Sequence, residues 1–343
     1  MTGPSTTPEA PTEAESGSAG PPDFDVPLLL ERLEAVVDTL EGAQGPASPG
    51  SRSVPTGMAD FDRLAGGLGG GRLYVVAAMP AAGKTALVLG LAGHVARVEE
   101  VPVLFFSLEL SGQDLAGRLL VLESGVRMGP VGAMEIAEDD WPEISDAVGR
   151  LAQVPLHVVD EPMMTPATIE AMAARAGDGG RCVVVIDSIR HLAAAQSSAE
   201  GTPSVGEIAG LLRSMARRLD IPVVMTLPLE PNAEGGPPVE LDQLGPIAAE
   251  ADVIVLIERT VGTGPSSPRT RRATVTILKN RQGWRGQFRL GFSEETGGFT
   301  TFGRRAPSRP RDPRSARRRP ARPDPGAPQL LVDASGGTDD EEG

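Results

Sequence analysis

The chain has 343 residues, 40% of them hydrophobic, which is enough for one substantial core and a small additional element; 42 Gly and 32 Pro point to disordered ends beside that core. A formal net charge of -14 excludes a generally basic nucleic-acid coat, and a single cysteine excludes a disulfide framework and implies a reducing compartment. No charged-then-apolar leader opens the chain and no run of about 18 apolar residues occurs, so neither secretion nor membrane spanning is supported and the reading is a cytoplasmic protein.

Residues 1–22 are Pro, Ser, Thr, Gly and Glu with almost no large apolar side chain, a composition that cannot offset the entropy of ordering. They are expected to be a disordered leader. Within 23–42, "DVPLLLERLEAVVDTLEG" puts Leu29, Leu33, Val36, Val37 and Leu40 on one helical face, with Pro27 at the start and Gly42 at the stop. This amphipathic helix either packs on its own domain or docks on a neighbouring subunit. Residues 43–53 are a Gly/Pro/Ser linker.

Residues 54–303 are expected to form the ordered domain. "RLYVVAA", "VPVLFFS", "PLHVVD", "CVVVID", "IPVVMTL" and "DVIVLIE" are short, nearly continuous apolar runs of the kind buried on both faces of a parallel sheet. "TALVLGLAGHVARV" and "VGEIAGLLRSMARRL" supply crossover helices. "RATVTILKN" and "GQFRLGF" follow one another without a helix between them and predict a closing hairpin. The fold class is α/β, an open, mostly parallel sheet with helices on both faces. Cys182 lies inside one of the strands and is assigned to packing.

Between the first strand and its helix stands "AMPAAGKT", Ala78 to Thr85, the phosphate-loop pattern with Ala at its first Gly position. The chemistry needs little more. Gly83 lets the backbone wrap closely, and the amides of Pro80's neighbours Ala81, Ala82, Gly83 and on to Ala86 lie at a helix N-terminus that faces phosphate. Lys84 neutralises the β and γ oxygens, and the Thr85 hydroxyl ligates Mg²⁺. A second metal contact calls for a carboxylate at the tip of a neighbouring strand, and "CVVVIDS" provides Asp187 after four apolar residues; its alternative is to cap the next turn. Glu109, just past the strand "VLFFS", either looks into the phosphate pocket to orient and deprotonate water or starts the helix "SGQDLAGRLL" and serves its dipole.

After the domain, residues 304–343 are an Arg/Pro segment followed by "DDEEG". Nine Arg and one Asp between Arg304 and Arg322 give a local charge of +8, leaving -22 for the rest. The Arg-rich tail is either a tether for DNA or RNA or a solvated terminus facing its own acidic end.

The stretches "TGMADFDRLAGGLGGGRLYVVAAMPAAGKTAL", "VLFFSLELSGQDLAGRLL", "VVVIDSIRHL", "VGEIAGLLRSMARRLDIPVV", "EADVIVLI" and "ILKNRQG" occur in the order seen in the C-terminal ATPase domain of DnaB-type replicative helicases, which the chain resembles from about Val54 to Phe302. The resemblance implies a RecA-like fold, a homo-oligomer built as a hexameric ring with ATP and Mg²⁺ at subunit interfaces, and movement on single-stranded DNA. It implies that Glu109 is the catalytic base, that Asp187 holds the metal through water, and that Lys279 and Arg281 of "LKNRQG" reach the neighbour's γ-phosphate. Taken without the resemblance, Arg281 is a surface hairpin arginine.

Three departures stand beside the resemblance. The stretch before Val54 holds only the helix at 26–42, where the family has a linker helix after an amino-terminal helical domain. After "IPVVMT" the family carries Ser-Gln, the Gln sensing γ-phosphate, whereas this chain has Leu227 and Pro228, and proline has neither a side-chain donor nor an N–H. The stretches that stand at the family's central channel, "AAAQSSAEGTPS" and "EPNAEGGPPVELDQLGP", lack Lys and Arg, and the second carries Glu230, Glu234, Glu240 and Asp242. The function read from this is a DnaB-like, ATP-dependent DNA helicase. The alternative is a RecA-like regulatory or assembly ATPase that switches oligomeric state or a protein partner.

Overall fold

A computed structural model of the chain describes residues 53–126, 136–176, 181–197, 201–230, 241–259 and 270–301. The leader, the helix at 23–42, most of the linker, the tail after 301, and Glu234 and Glu240 lie outside the described residues.

A short antiparallel pair, β1 (Ser53–Val54) and β2 (Leu68–Gly69), flanks helix α1 (Ala59–Ala65). The chain then alternates: β3 (Leu73–Ala78), α2 (Lys84–Val98), β4 (Val103–Ser107), α3 (Gly112–Ser124), α4 (Trp141–Leu151), β5 (Leu156–Val159), α5 (Pro166–Ala176), β6 (Val183–Asp187), α6 (Ile189–Ala195), α7 (Val205–Leu219), β7 (Val223–Pro228), α8 (Pro246–Glu250) and β8 (Val253–Arg259). Three strands close it, β9 (Thr270–Asn280), β10 (Gly286–Ser293) and β11 (Gly298–Thr301). Among the described residues the large sheet has nine strands in the order β11-β10-β9-β8-β3-β7-β6-β4-β5. From β8 through β5 neighbouring strands are parallel; β9 is antiparallel to both β8 and β10. All six expected parallel strands, the two expected crossover helices and the hairpin are present.

The apolar runs form strands because both faces of the sheet are covered. Successive side chains alternate between two cores, so Val76, Phe105 and Val185 join α1, α2 and α3 on one face, while Val75, Phe106 and Ile186 join α5, α6 and α7 on the other. Val183 through Ile186 are each fully buried, and every one of them is worth roughly 1.5–3 kcal/mol of burial. A one-residue slip would turn these side chains over, so the run fixes register and delivers Asp187 to the strand's carboxyl end. Cys182 packs in the second core, where burial pushes its thiol up to about 11. The crossover helix α7 is started by a capping box in which Ser204 and Glu207 satisfy each other's backbone N–H groups.

Tyr74 ties the β1–β2 ribbon to the sheet. Its buried hydroxyl accepts from the Gly69 N–H at 2.7 Å and donates to the Gly67 carbonyl at 3.0 Å. Tyr74→Phe keeps the ring but leaves both backbone groups without that partner, and urea unfolding is expected to show a loss of about 1–3 kcal/mol. An unchanged midpoint would mean that water replaces the hydroxyl there.

Candidate functional site

Strand β3 ends at Ala78 and α2 begins at Lys84, so residues 79–83 form the loop between them. Gly83 is the residue before the helix, at φ 104°, and it offers no side-chain cap to the amides that follow. A Cβ there would lie 2.9 Å from the Phe299 ring, so conformation and space both require glycine. Ala81 also takes positive φ, at 60°. The first turn of α2 carries no acidic residue, leaving its exposed N–H groups and positive dipole end unopposed. Pro80 and Ala81 form the exposed crest of the loop, Ala78, Ala82 and Lys84 are buried, and Thr85 and Ala86 are half-buried.

The Lys84 Nζ donates to the carbonyls of Ala78 at 3.3 Å and Met79 at 3.4 Å. Burial lowers its pKa below the ordinary lysine value, while the negative charges of Glu109 and Asp187 pull it back up. Glu109 and Asp187 both act on Lys84 from nearby.

Asp187 is almost completely buried, and its carboxylate accepts from the Thr85 hydroxyl at 2.7 Å and from the Thr226 hydroxyl. It does not cap the following helix: the residue before α6 is Ser188. Ser107 pairs with Asp187 across the sheet, and the Leu108 N–H donates to the Asp187 carbonyl at 2.8 Å, which carries the chain to Glu109. Glu109 is exposed and lies outside α3, whose own cap is Ser111; the Ser111 hydroxyl accepts from the Asp114 N–H at 3.1 Å. The helix-starting role for Glu109 is thus already filled.

The hydroxyl of Thr85 and the carboxylate of Asp187 are hard oxygen donors already side by side, the donor type that Mg²⁺ takes. No group of three or more His, Cys, Asp or Glu that could hold a metal ion occurs among the described residues. This donor set fits an ion that completes its shell with phosphate and water.

Lys279 and Arg281 are elsewhere. Ala78 pairs with Ile257 at one end of β8, and Asn280 pairs with Val253 at the other. Four residues separate those levels, about 13 Å at strand rise. The phosphate loop and Arg281 extend beyond them in opposite directions. Lys279 Nζ donates to the Ala248 carbonyl and Arg281 Nη2 to the Ala249 carbonyl, both at 2.5 Å, at the negative end of α8. Arg281 Nε is also 3.6 Å from Asp252 Oδ1. Asp252 accepts from the Leu73 N–H at 3.0 Å and faces Arg213, which pairs with Glu250 at 3.3 Å. Burial, and secondarily the Arg281 charge, lowers the Lys279 pKa.

Sequence reading missed several residues at this site. The Arg259 guanidinium lies 4.4 Å from the Phe292 ring centroid, Phe292 meets Phe299 edge to face at 5.0 Å, and Phe299 abuts Gly83. Thr226 was also missed. The available signal was sheet polarity: a polar residue toward the carboxyl end of a strand parallel to β3 lies on the side of the loop. Pro228 pairs with Ala78, and the Leu229 N–H donates to the Ala78 carbonyl at 2.9 Å, so the Leu-Pro departure lies against the base of the phosphate loop. Glu230, one of the four acidic residues of the second channel stretch, forms an ion pair with Arg190 at 2.8 Å.

The chain matches the family described as DnaB-like helicase C terminal domain over residues 53–301. It is 31% identical to the replicative DNA helicase DnaB of Leifsonia xyli over 262 residues, covering 74% of this chain and 57% of that protein. It is also 31% identical to the corresponding helicase of Treponema pallidum over 279 residues, covering 80% and 61%. The chain thus spans about three fifths of the length of these relatives. Among solved structures, a DnaB-like replicative helicase superposes with a TM-score of 0.68 at 25% identity, covering 81% of this chain and 67% of that one. A solved ATPase domain superposes with a TM-score of 0.70 at 26% identity, covering 81% of this chain and 99% of that domain.

Burying the Lys84 charge costs the fold stability. Lys84 releases its proton more readily folded than unfolded, so that cost is full at neutral pH and fades as pH rises toward the ordinary 10.5. Lys84→Met is expected to raise the melting midpoint of the free protein at neutral pH, to narrow that gap at alkaline pH, and to abolish stabilisation by Mg-ATP. A variant that melts lower than the parent at neutral pH would contradict this balance.

Proposed function

The chain belongs to the DnaB-like helicase C-terminal domain family, and from that premise we propose that it hydrolyses ATP between adjoining protomers of a homo-oligomeric ring and couples turnover to movement on single-stranded DNA. The observation that carries this reading is the placement of the two halves of the site at opposite ends of the sheet.

In this mechanism the amides after Gly83 receive the phosphates and Lys84 exchanges its loop carbonyls for phosphate oxygens. Thr85 and Asp187 hold Mg²⁺, which supplies neutralisation of charge developing on the transferred phosphoryl group. Thr226 and Thr85 keep the Asp187 carboxylate aimed. Glu109 orients a water molecule and takes its proton. Lys279 and Arg281 approach a neighbour's triphosphate, leaving the α8 carbonyls, so that turnover depends on assembly. Arg259, over the buried Phe292 ring, and the half-buried Phe299, edge to face with Phe292, bring a guanidinium and an aromatic ring beside the loop, groups suited to contacting a nucleobase. The ring is hexameric, as the resemblance implies, the Arg-rich tail is a candidate tether for nucleic acid, and the setting is the cytoplasm.

A second reading, an ATPase that switches assembly without unwinding, draws on one observation. Pro228 stands against the phosphate loop where it can neither donate nor sense. Two measurements test the proposal. Glu109→Gln is expected to bind Mg-ATP while phosphate release falls about a hundred- to ten-thousand-fold; unchanged turnover rejects the assignment. Single-stranded DNA is expected to stimulate turnover in the full chain and in a chain ended at Gly303. Stimulation lost with the tail would make the tail the DNA contact, and stimulation absent from both would favour the switch.

A further inference from the structure

The tip of the β9–β10 hairpin carries a tryptophan that nothing in the site just described uses. Trp284 is 77% exposed, and every residue from Arg281 to Arg285 is exposed with it. The tip is nevertheless held firmly. The Trp284 N–H donates to the Leu64 carbonyl at 3.0 Å, and the Asn280 side-chain amide donates to the carbonyls of Leu64 at 3.3 Å and Trp284 at 3.2 Å. The Gln282 N–H donates to Asn280 Oδ1 at 3.2 Å. At Gly283 a Cβ would stand 2.5 Å from the Asn280 amide and 2.8 Å from the Leu64 carbonyl, so the turn fits closely on the end of α1. A large aromatic ring is thus presented to solvent from a backbone that has little ordering entropy left to lose.

We infer that Trp284 is an assembly anchor: the ring buries itself on a second copy of this chain, against the rim of that copy's nucleotide site. The inference rests on the reading that Arg281 acts on a neighbour. Trp284 is three positions after Arg281, so their Cα atoms lie within about 11 Å even if the chain between them were fully extended. A neighbour close enough to bring its triphosphate to Arg281 is therefore close enough to cover Trp284. The rim offers a fitting surface, because Pro80 and Ala81 make the outward crest of the phosphate loop apolar. Arg281 and Arg285 flank the ring with positive charge and meet the phosphates and the exposed Glu109. A buried aromatic beside arginines, on a backbone already ordered, is the composition of an interface hot spot.

Tryptophan content makes the test direct, since the chain has only Trp141 and Trp284. In full-length Trp141→Phe protein, emission reports Trp284 alone. On adding Mg²⁺ with a slowly hydrolysed ATP analogue, assembly followed by sedimentation is expected to coincide with a blue shift and loss of iodide quenching. Trp284→Ala is expected to raise the protein concentration for half-assembly at least tenfold while analogue binding to the unassembled chain stays unchanged, and Trp284→Phe to recover part of the loss. Assembly with Trp284 still quenched, and Trp284→Ala assembling at parental concentrations, would overturn the anchor, leave the trans-acting arginine standing and point to another protein as the occupant. Failure of the parent chain to assemble would overturn both.

Discussion

In a parallel sheet the carboxyl ends of all strands lie along one edge, and here that edge gathers Ala78, Ser107, Asp187 and Thr226, while the antiparallel β9 carries Lys279 and Arg281 back to the other. Rotating side chains cannot close that gap within one chain. The proposed reaction rests on this separation: one edge holds the amides after Gly83, Asp187 and Glu109, to which the proposal gives phosphate, metal and water, and the other holds the cations Lys279 and Arg281.

Within one chain the charges of each half have partners. Lys84 leans on loop carbonyls, Asp187 accepts two hydroxyls, and Lys279 and Arg281 sit on the negative end of α8. A phosphate group offers Lys84, Lys279 and Arg281 a charged acceptor that these carbonyls do not match, which is why the proposal has nucleotide and neighbour displace them. Asp252 has a more fixed task. It holds the start of β3 through Leu73 and faces Arg213 and Arg281, so the cationic edge is anchored to the strand that ends in the phosphate loop.

Much of this was legible in the sequence because it is written locally. The "GKT" between an apolar strand and an apolar-periodic helix fixes its own context, and the buried run ending in Asp187 names its register. The hairpin strands declare themselves by lacking a helix between them. What escaped depends on distant segments meeting. Thr226 reaches Asp187 across 39 positions, Arg190 balances Glu230 across 40, and Phe299 abuts a glycine more than two hundred residues earlier. No local period records such meetings. The sequence left Glu109 open between two roles; the structure gives the helix its own cap in Ser111, and the role of base belongs to the proposal.

The central claim is that one site draws its base from one protomer and its guanidinium from the next, and subunit mixing measures it most directly. Glu109→Gln chains keep Arg281, and Arg281→Ala chains keep Glu109; each is expected to be inactive alone. When the two are combined over a range of ratios, some interfaces regain both groups, and phosphate release is predicted to rise to a maximum at intermediate composition. Activity that stays at the level of the separate variants at every ratio, in preparations shown to co-assemble, would contradict the account.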